Sequence, residues 1–235
     1  MKASFFDIDG TLVKGLMIYE FAKHLANKGL IEKSFFEKMN SYVMLYLKNK
    51  MTYRKLAIIA PNLYAKGLRS VKVSIVKKEA KKFVDSYIKE FIHPYTMELV
   101  KLMKSYGMTI GISGSPIEVV SYTGKIFDFD LTYGGELEIR NGRYTGKIKQ
   151  NLIIKEKKEE VLKKIIKENK IDLTKSFGFG DTEQDLSFLS KVKYPIALNP
   201  NLKLLEIFKK KGWPSFTSKD DVARNIKKSL KENIQ

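Results

Sequence analysis

Ala3-Ser4-Phe5-Phe6-Asp7-Ile8-Asp9-Gly10-Thr11 stands almost at the start of the chain. The apolar run reads as a core strand ending at Asp7, with Gly10-Thr11 as the turn that follows. From about Gly15 to Phe91 the pattern becomes almost wholly helical. Apolar residues recur at three- and four-residue spacing, as in Ile18, Phe21, Ala22 and Leu25, then Phe35, Met39, Tyr42 and Tyr46. Gly29, Pro61 and Gly67 mark the expected turns.

Beyond residue 93 strands return. His93-Pro94 starts a predicted helix through Tyr106, closed by Gly107. Met108–Ile112 reads as a short buried strand, and Ser115-Pro116 as the cap and first position of another helix. Asn141-Gly142 between Glu136–Arg140 and Arg143–Ile148 signals a β-hairpin. A helix from about Glu156 to Asn169 and a strand 176–179 follow, and then Asp181. Helix 182–190, strand 193–198 and helices 201–211 and 219–232 complete the prediction. This alternation predicts an α/β fold: a Rossmann-like parallel sheet with helices on both faces, an inserted helical cap and a β-hairpin. Residues 1–14 and 92–235 are expected to form the catalytic core, and 15–91 the cap.

Composition narrows the function classes. The chain has 235 residues, 43% of them hydrophobic, and no cysteine, so disulfide and thiolate chemistry are excluded. No apolar run approaches the roughly 18–20 residues of a membrane span, and no signal-peptide pattern opens the chain. A soluble cytoplasmic protein with no membrane partner is therefore expected. The net charge is +18, from 44 basic and 26 acidic residues. Most of the basic residues are lysines on helical faces, as in Lys77-Lys78 and Lys209-Lys210-Lys211. They read as solvated surface, and nucleic-acid binding is not expected to be the main task.

Three segments fall where apolar strands end: Asp7-Ile8-Asp9-Gly10-Thr11, Ser113-Gly114-Ser115 and Gly180-Asp181-Thr182-Glu183-Gln184-Asp185. In an open parallel sheet, ligands bind beyond those ends, so the segments can converge. Convergence would crowd Asp7, Asp9, Asp181 and Asp185 into one cleft, where like charges repel. A hard divalent cation such as Mg2+ would neutralise them and sit well beside phosphate. Ser113 offers a hydroxyl to a phosphate oxygen, and Gly114 an amide at a helix N-terminus. A carboxylate nucleophile could then split phosphoester hydrolysis into two steps, with a second carboxylate moving the protons.

These motifs resemble the haloacid dehalogenase superfamily, in its phosphoserine phosphatase-like branch. The resemblance covers nearly the whole chain in order. It implies Asp7 as nucleophile, Asp9 as general acid/base and Ser113 as the second-motif hydroxyl. It implies Asp181 and Asp185 at the metal, with the backbone carbonyl of Asp9. It also implies a lysine at the start of the helix after the hairpin, for which Lys158 is chosen over Lys155 and Lys157. The implied activity is Mg2+-dependent hydrolysis of a small phosphorylated metabolite. Leu16 stands where phosphoserine phosphatases carry an acidic residue, with Glu20 one helical turn beyond. A polyol, glycerol, choline or ethanolamine phosphate is thus an equal candidate substrate. Lys14, Met17, Tyr19 and Arg54 are candidates to face the cleft.

The bland readings fall short of the whole set. An EF-hand fragment fails because its twelfth loop position is Ile18. A glycosyltransferase Asp-x-Asp leaves the later motifs unexplained. A phosphotransferase would use the same aspartyl-phosphate. A non-catalytic RNA or anionic-surface binder would follow from the charge alone, but it has no use for a carboxylate cluster.

Overall fold

The computed structural model describes residues 1–233. Seven strands form one sheet in the order β4-β3-β2-β1-β5-β6-β7. They are β1 (Ala3–Phe6), β2 (Met108–Pro116), β3 (Leu131–Arg140), β4 (Arg143–Gln150), β5 (Phe177–Gly180), β6 (Tyr194–Leu198) and β7 (Ser215–Phe216). Every pairing is parallel except that of β3 with β4. β1 lies at the centre, with Phe5 opposite both Ile110 and Gly178. The chain order reverses between β1 and β5. That is the switch point where α/β sheets open a crevice beyond their strand ends.

Alternate β1 side chains serve opposite faces, as the pleat requires. Phe6 joins an apolar layer with Leu99, Val100, Val119, Val120, Val222 and Ile226. Ala3 and Phe5 join another with Leu162, Ile165, Phe188, Leu189, Leu204 and Phe208. The first layer belongs to α5 (Thr96–Tyr106), α6 (Ile117–Ile126) and α10 (Val222–Asn233). The second belongs to α7 (Lys155–Glu168), α8 (Leu186–Leu189) and α9 (Leu202–Lys211). Asn141 and Gly142 turn the hairpin with φ of 50° and 71°, the left-handed pair of a type I′ turn.

Four helices follow β1: α1 (Met17–Asn27), α2 (Lys33–Leu47), α3 (Tyr53–Gly67) and α4 (Val73–Phe91). This insert leaves and rejoins the sheet at adjacent points, where Val13 bridges Ile92 and Lys14 N donates to Phe91 O at 2.8 Å.

Some local expectations give way. Pro61 marks no turn but lies inside α3. Proline cannot donate to the carbonyl four residues back. The Asn151 side-chain amide takes that role, donating to Ala57 O at 3.1 Å. Ser115 does not cap a helix either: β2 runs on to Pro116 and α6 starts at Ile117 with no side-chain cap. The stretch 182–190 holds a 3-10 turn at Glu183–Asp185 and then the short α8, not one continuous helix. The short strand β7 was not anticipated.

Candidate active site

The cleft at the switch point has a volume of about 290 Å³. Asp7 directly follows β1, and its N–H donates to Phe179 O of β5 at 2.9 Å. Asp181 directly follows β5. Asp7, Asp181 and Asp185 each bring a carboxylate oxygen within 4.8 Å of the others.

Lys158 enters this cluster from the first turn of α7 and is only 4% exposed. Its Nζ donates to Asp7 Oδ1 at 2.6 Å and to Asp185 Oδ1 at 2.7 Å. Lys155 and Lys157 instead pair with Glu159 and Glu160 on the helix exterior. Burial works against the Lys158 charge, but Asp185 and Asp7 outweigh it and hold the ammonium above its usual range. Burial, and then the Asp185 charge, pushes the Asp7 carboxyl well above the usual carboxylate range, with Lys158 pulling the other way. Burial and then Asp7 and Asp185 push Asp181 up as well. One buried cation therefore faces two buried carboxylates and a third, Asp181, that is partly buried. An all-oxygen donor set that repels itself in this way fits a hard divalent cation.

Asp185 is locked from both ends. While Oδ1 meets Lys158, Oδ2 accepts from the N–H groups of Asp181 and Thr182 at 3.2 and 3.0 Å. Asp181 Oδ1 accepts from the Thr11 hydroxyl at 3.1 Å. Its carboxylate lies directly over Gly10, where φ is +82° and a Cβ would collide with it. Glycine at position 10 thus gives Asp181 its place as well as turning the chain.

Asp9 sits beside the triad but is held differently. Its Oδ1 accepts from Met17 N at 2.6 Å and from the Ser115 hydroxyl at 3.0 Å, and its Oδ2 from Ser113 at 2.5 Å. Burial raises its carboxyl, against the lowering effect of the Ser113, Met17 and Ser115 hydrogen bonds. Ser113 is fully buried and spends its proton on Asp9, while its oxygen accepts from Ser115 N at 2.9 Å. Gly114 and Ser115, not Ser113, line the cleft. A Cβ at Gly114 would strike Ile153, so glycine lets the strand end approach that loop.

Behind the cleft, the segment 93–96 secures the turn after Asp9. Tyr95 Oη donates to Thr11 O at 2.6 Å, and Thr96 Oγ1 to Leu12 O at 2.7 Å. His93 Nε2 lies 3.2 Å from Gly10 O. Asn199 Nδ2 donates to Tyr95 Oη at 2.7 Å.

The insert supplies Leu16, Ile18, Tyr46, Leu47 and Tyr53 to the cleft. Lys14, Met17, Tyr19 and Arg54, the sequence candidates, do not line it, and neither does Glu20. Met17 is fully buried, and Tyr19 donates to Asn40. Arg54 sits about 100° round the helix from Tyr53 and is exposed outside the cleft lining. Sequence reasoning also missed Thr11 and Ser115. Ser115 was findable, because residues two apart on a strand share a face, and Ser113 was already singled out.

The chain has relatives. A histidinol-phosphatase of Neisseria meningitidis serogroup C is 26% identical over 89% of this chain and 95% of its own. A phosphoserine phosphatase of Mycobacterium tuberculosis is 23% identical over 90% of this chain and 69% of its own. A solved phosphoserine phosphatase, an analogue of its phospho-aspartyl intermediate, superposes with a TM-score of 0.66. It is 21% identical and covers 96% of this chain and 97% of that one. The model of the haloacid dehalogenase-like hydrolases matches residues 4–190, a span that runs from within β1 past α8 and holds all of the carboxylates described above. The chain therefore belongs to the haloacid dehalogenase-like hydrolase family.

Proposed function

We propose that this enzyme hydrolyses a small phosphomonoester through an aspartyl-phosphate on Asp7. The observation that carries the reading is the double engagement of Lys158, which binds Asp7 and Asp185 in the same buried cleft. A carboxylate nucleophile meeting a phosphate dianion needs such neutralisation at close range. Named relatives that are phosphatases add to the reading.

In the first step an Asp7 oxygen bonds to phosphorus, and the bond from phosphorus to the alcohol oxygen breaks. Asp9, its carboxyl raised by burial, gives its proton to the departing alkoxide. In the second step Asp9 takes a proton from water. The resulting hydroxide attacks phosphorus, releasing phosphate and restoring the Asp7 carboxylate. Hydrogen bonds from Ser113, Ser115 and Met17 N fix the orientation of Asp9 throughout. Lys158 steadies Asp7 in both states. Asp7, Asp181 and Asp185, with the Asp9 carbonyl, would hold Mg2+. Bound there, the ion supplies charge to balance the phosphoryl oxygens. The insert 15–91 serves as the cap, its Leu16, Ile18, Tyr46, Leu47 and Tyr53 limiting water around the ester.

The test is phosphate release from a panel of small phosphomonoesters, with wild type and Asp7→Asn, each with Mg2+ and with excess chelator. Turnover should require both Asp7 and Mg2+. Wild-type turnover that persists in Asp7→Asn would refute the reading.

A further inference from the structure

The floor of the cleft is charged, but its opposite wall is not. Its larger uncharged side chains are Leu16, Ile18, Tyr46, Leu47, Tyr53 and Ile153, with Thr182, Gln184 and Asn201 as the uncharged polar residues beside them. Among the described lining residues, Lys158 is the one cation, and no arginine, histidine or glutamate is present. Asp7 and Asp185 already engage Lys158, at 2.6 and 2.7 Å. A carboxylate on the alcohol half of a substrate would find no free counter-charge there. It would also lie in the field of Asp7, Asp9 and Asp181. An ammonium would find only carboxylates occupied with the phosphoryl end.

What the wall does offer is apolar surface. The Tyr46 and Tyr53 rings stand 5.8 Å apart at 58°, and both are half-buried at the cleft. Neither hydroxyl has a hydrogen-bond partner among the described residues. Leu47 keeps 62% exposure at the rim, an uncovered leucine beside an otherwise apolar wall. A ligand body that reached it would remove that surface from water.

We infer that the ester accepted here carries an uncharged, largely apolar alcohol, packed on Leu16, Ile18 and Leu47 and flanked by the Tyr46 and Tyr53 rings. The inference rests on the phosphatase reading for what lies at the phosphoryl end. It names the substrate class of that same site and makes Tyr53 a specificity-determining residue.

Calorimetric binding of phosphonates, with Mg2+ present, tests this without needing turnover. The series is methyl-, butyl- and hexylphosphonate, with two phosphonates of hexyl length ending in a carboxylate or an ammonium. Burial contributes about fourfold in affinity per fully buried methylene. Hexylphosphonate should therefore bind at least about tenfold tighter than methylphosphonate, allowing for partial burial. The two charged compounds should bind no tighter than methylphosphonate. Tyr53→Ala should weaken hexylphosphonate about tenfold more than it weakens methylphosphonate, while Tyr53→Phe keeps the hexyl preference. Flat affinities along the alkyl series, tighter binding of a charged compound, or no binding of hexylphosphonate would overturn the inference. Absence of hydrolysis of every ester, with the binding order intact, would count against the phosphatase reading and not against this one.

Discussion

Lys158 Nζ lies 2.6 Å from Asp7 Oδ1, although the two residues are 151 positions apart in the chain. Both side chains are more than nine-tenths buried, and Asp185 shares the same ammonium. Removing one partner of such a group leaves uncompensated charge in a medium that solvates it poorly. Lys158→Met is expected to lower stability by about 3–5 kcal/mol in urea titrations without metal. It should also lower kcat at least about a hundredfold, as loss of an electrostatic contact to the reacting group does. Wild-type stability in the variant would mean that the ion pair is not a buried one.

The three carboxylates make the opposite prediction for metal. Divalent ion should stabilise the fold, by about 2.7 kcal/mol when its concentration is a hundred times Kd. Asp181→Asn removes one like charge. The metal-free variant should thus be at least as stable as metal-free wild type, and it should gain much less from Mg2+. Thermal melts of both proteins across a Mg2+ titration check this, and an equal gain in the two would contradict the assignment of Asp181.

Asn151 and Pro61 should be energetically coupled. The Asn151 amide satisfies the Ala57 carbonyl that Pro61 leaves without its helical donor. Asn151→Ala should cost about 1–3 kcal/mol, because a buried acceptor is orphaned. Pro61→Ala restores a backbone N–H at that place and should recover part of the cost. A double-mutant cycle in urea measures the coupling, and simple additivity would show that Asn151 acts only through its other hydrogen bond, from Ile153 N.

Glu118 gives a pH dependence away from the cleft. Its buried carboxyl accepts from Tyr144 Oη at 2.5 Å, and burial raises it above 4.5. The folded state therefore favours the protonated acid. The stability it contributes is full below pH 4.5 and is lost as pH rises through the raised folded value. Glu118→Gln keeps an acceptor for Tyr144 and cannot ionise. Relative to wild type, it should be more favourable at pH 8 than at pH 4 in chemical denaturation. A difference independent of pH would place the Glu118 carboxyl in the ordinary range.

How much of this was legible beforehand depends on the range of the interaction. Asn141-Gly142 specified its hairpin because the left-handed backbone of that turn is a local demand. The order of the motif carboxylates could be read because each lies at or near the end of a recognisable strand, whereas Lys158 was chosen among three neighbouring lysines through the family resemblance alone. Pro61 was misread because its local preference breaks helices, while the contact that rescues α3 comes from Asn151, 94 positions along the chain from the Ala57 carbonyl it satisfies. Ser115 looked like a helix cap by the same local logic, yet Asp9 and Ile18 N claim its hydroxyl across the fold. Tyr46 showed only as one apolar position in a helical pattern, and Tyr53 was not singled out. Their place in the cleft depends on how α2 and α3 pack, which a periodic pattern does not specify.

The central claim is a covalent bond between phosphorus and Asp7, and the most direct measurement is peptide mass spectrometry on enzyme quenched in acid during turnover with Mg2+. The account predicts one phosphoryl group on the peptide that contains Asp7, localised to that residue, discharged by hydroxylamine and absent from Asp7→Asn. Phosphate released steadily by an enzyme that carries no phosphoryl group on Asp7 at any quench time, with Asp7→Asn equally active, would contradict it.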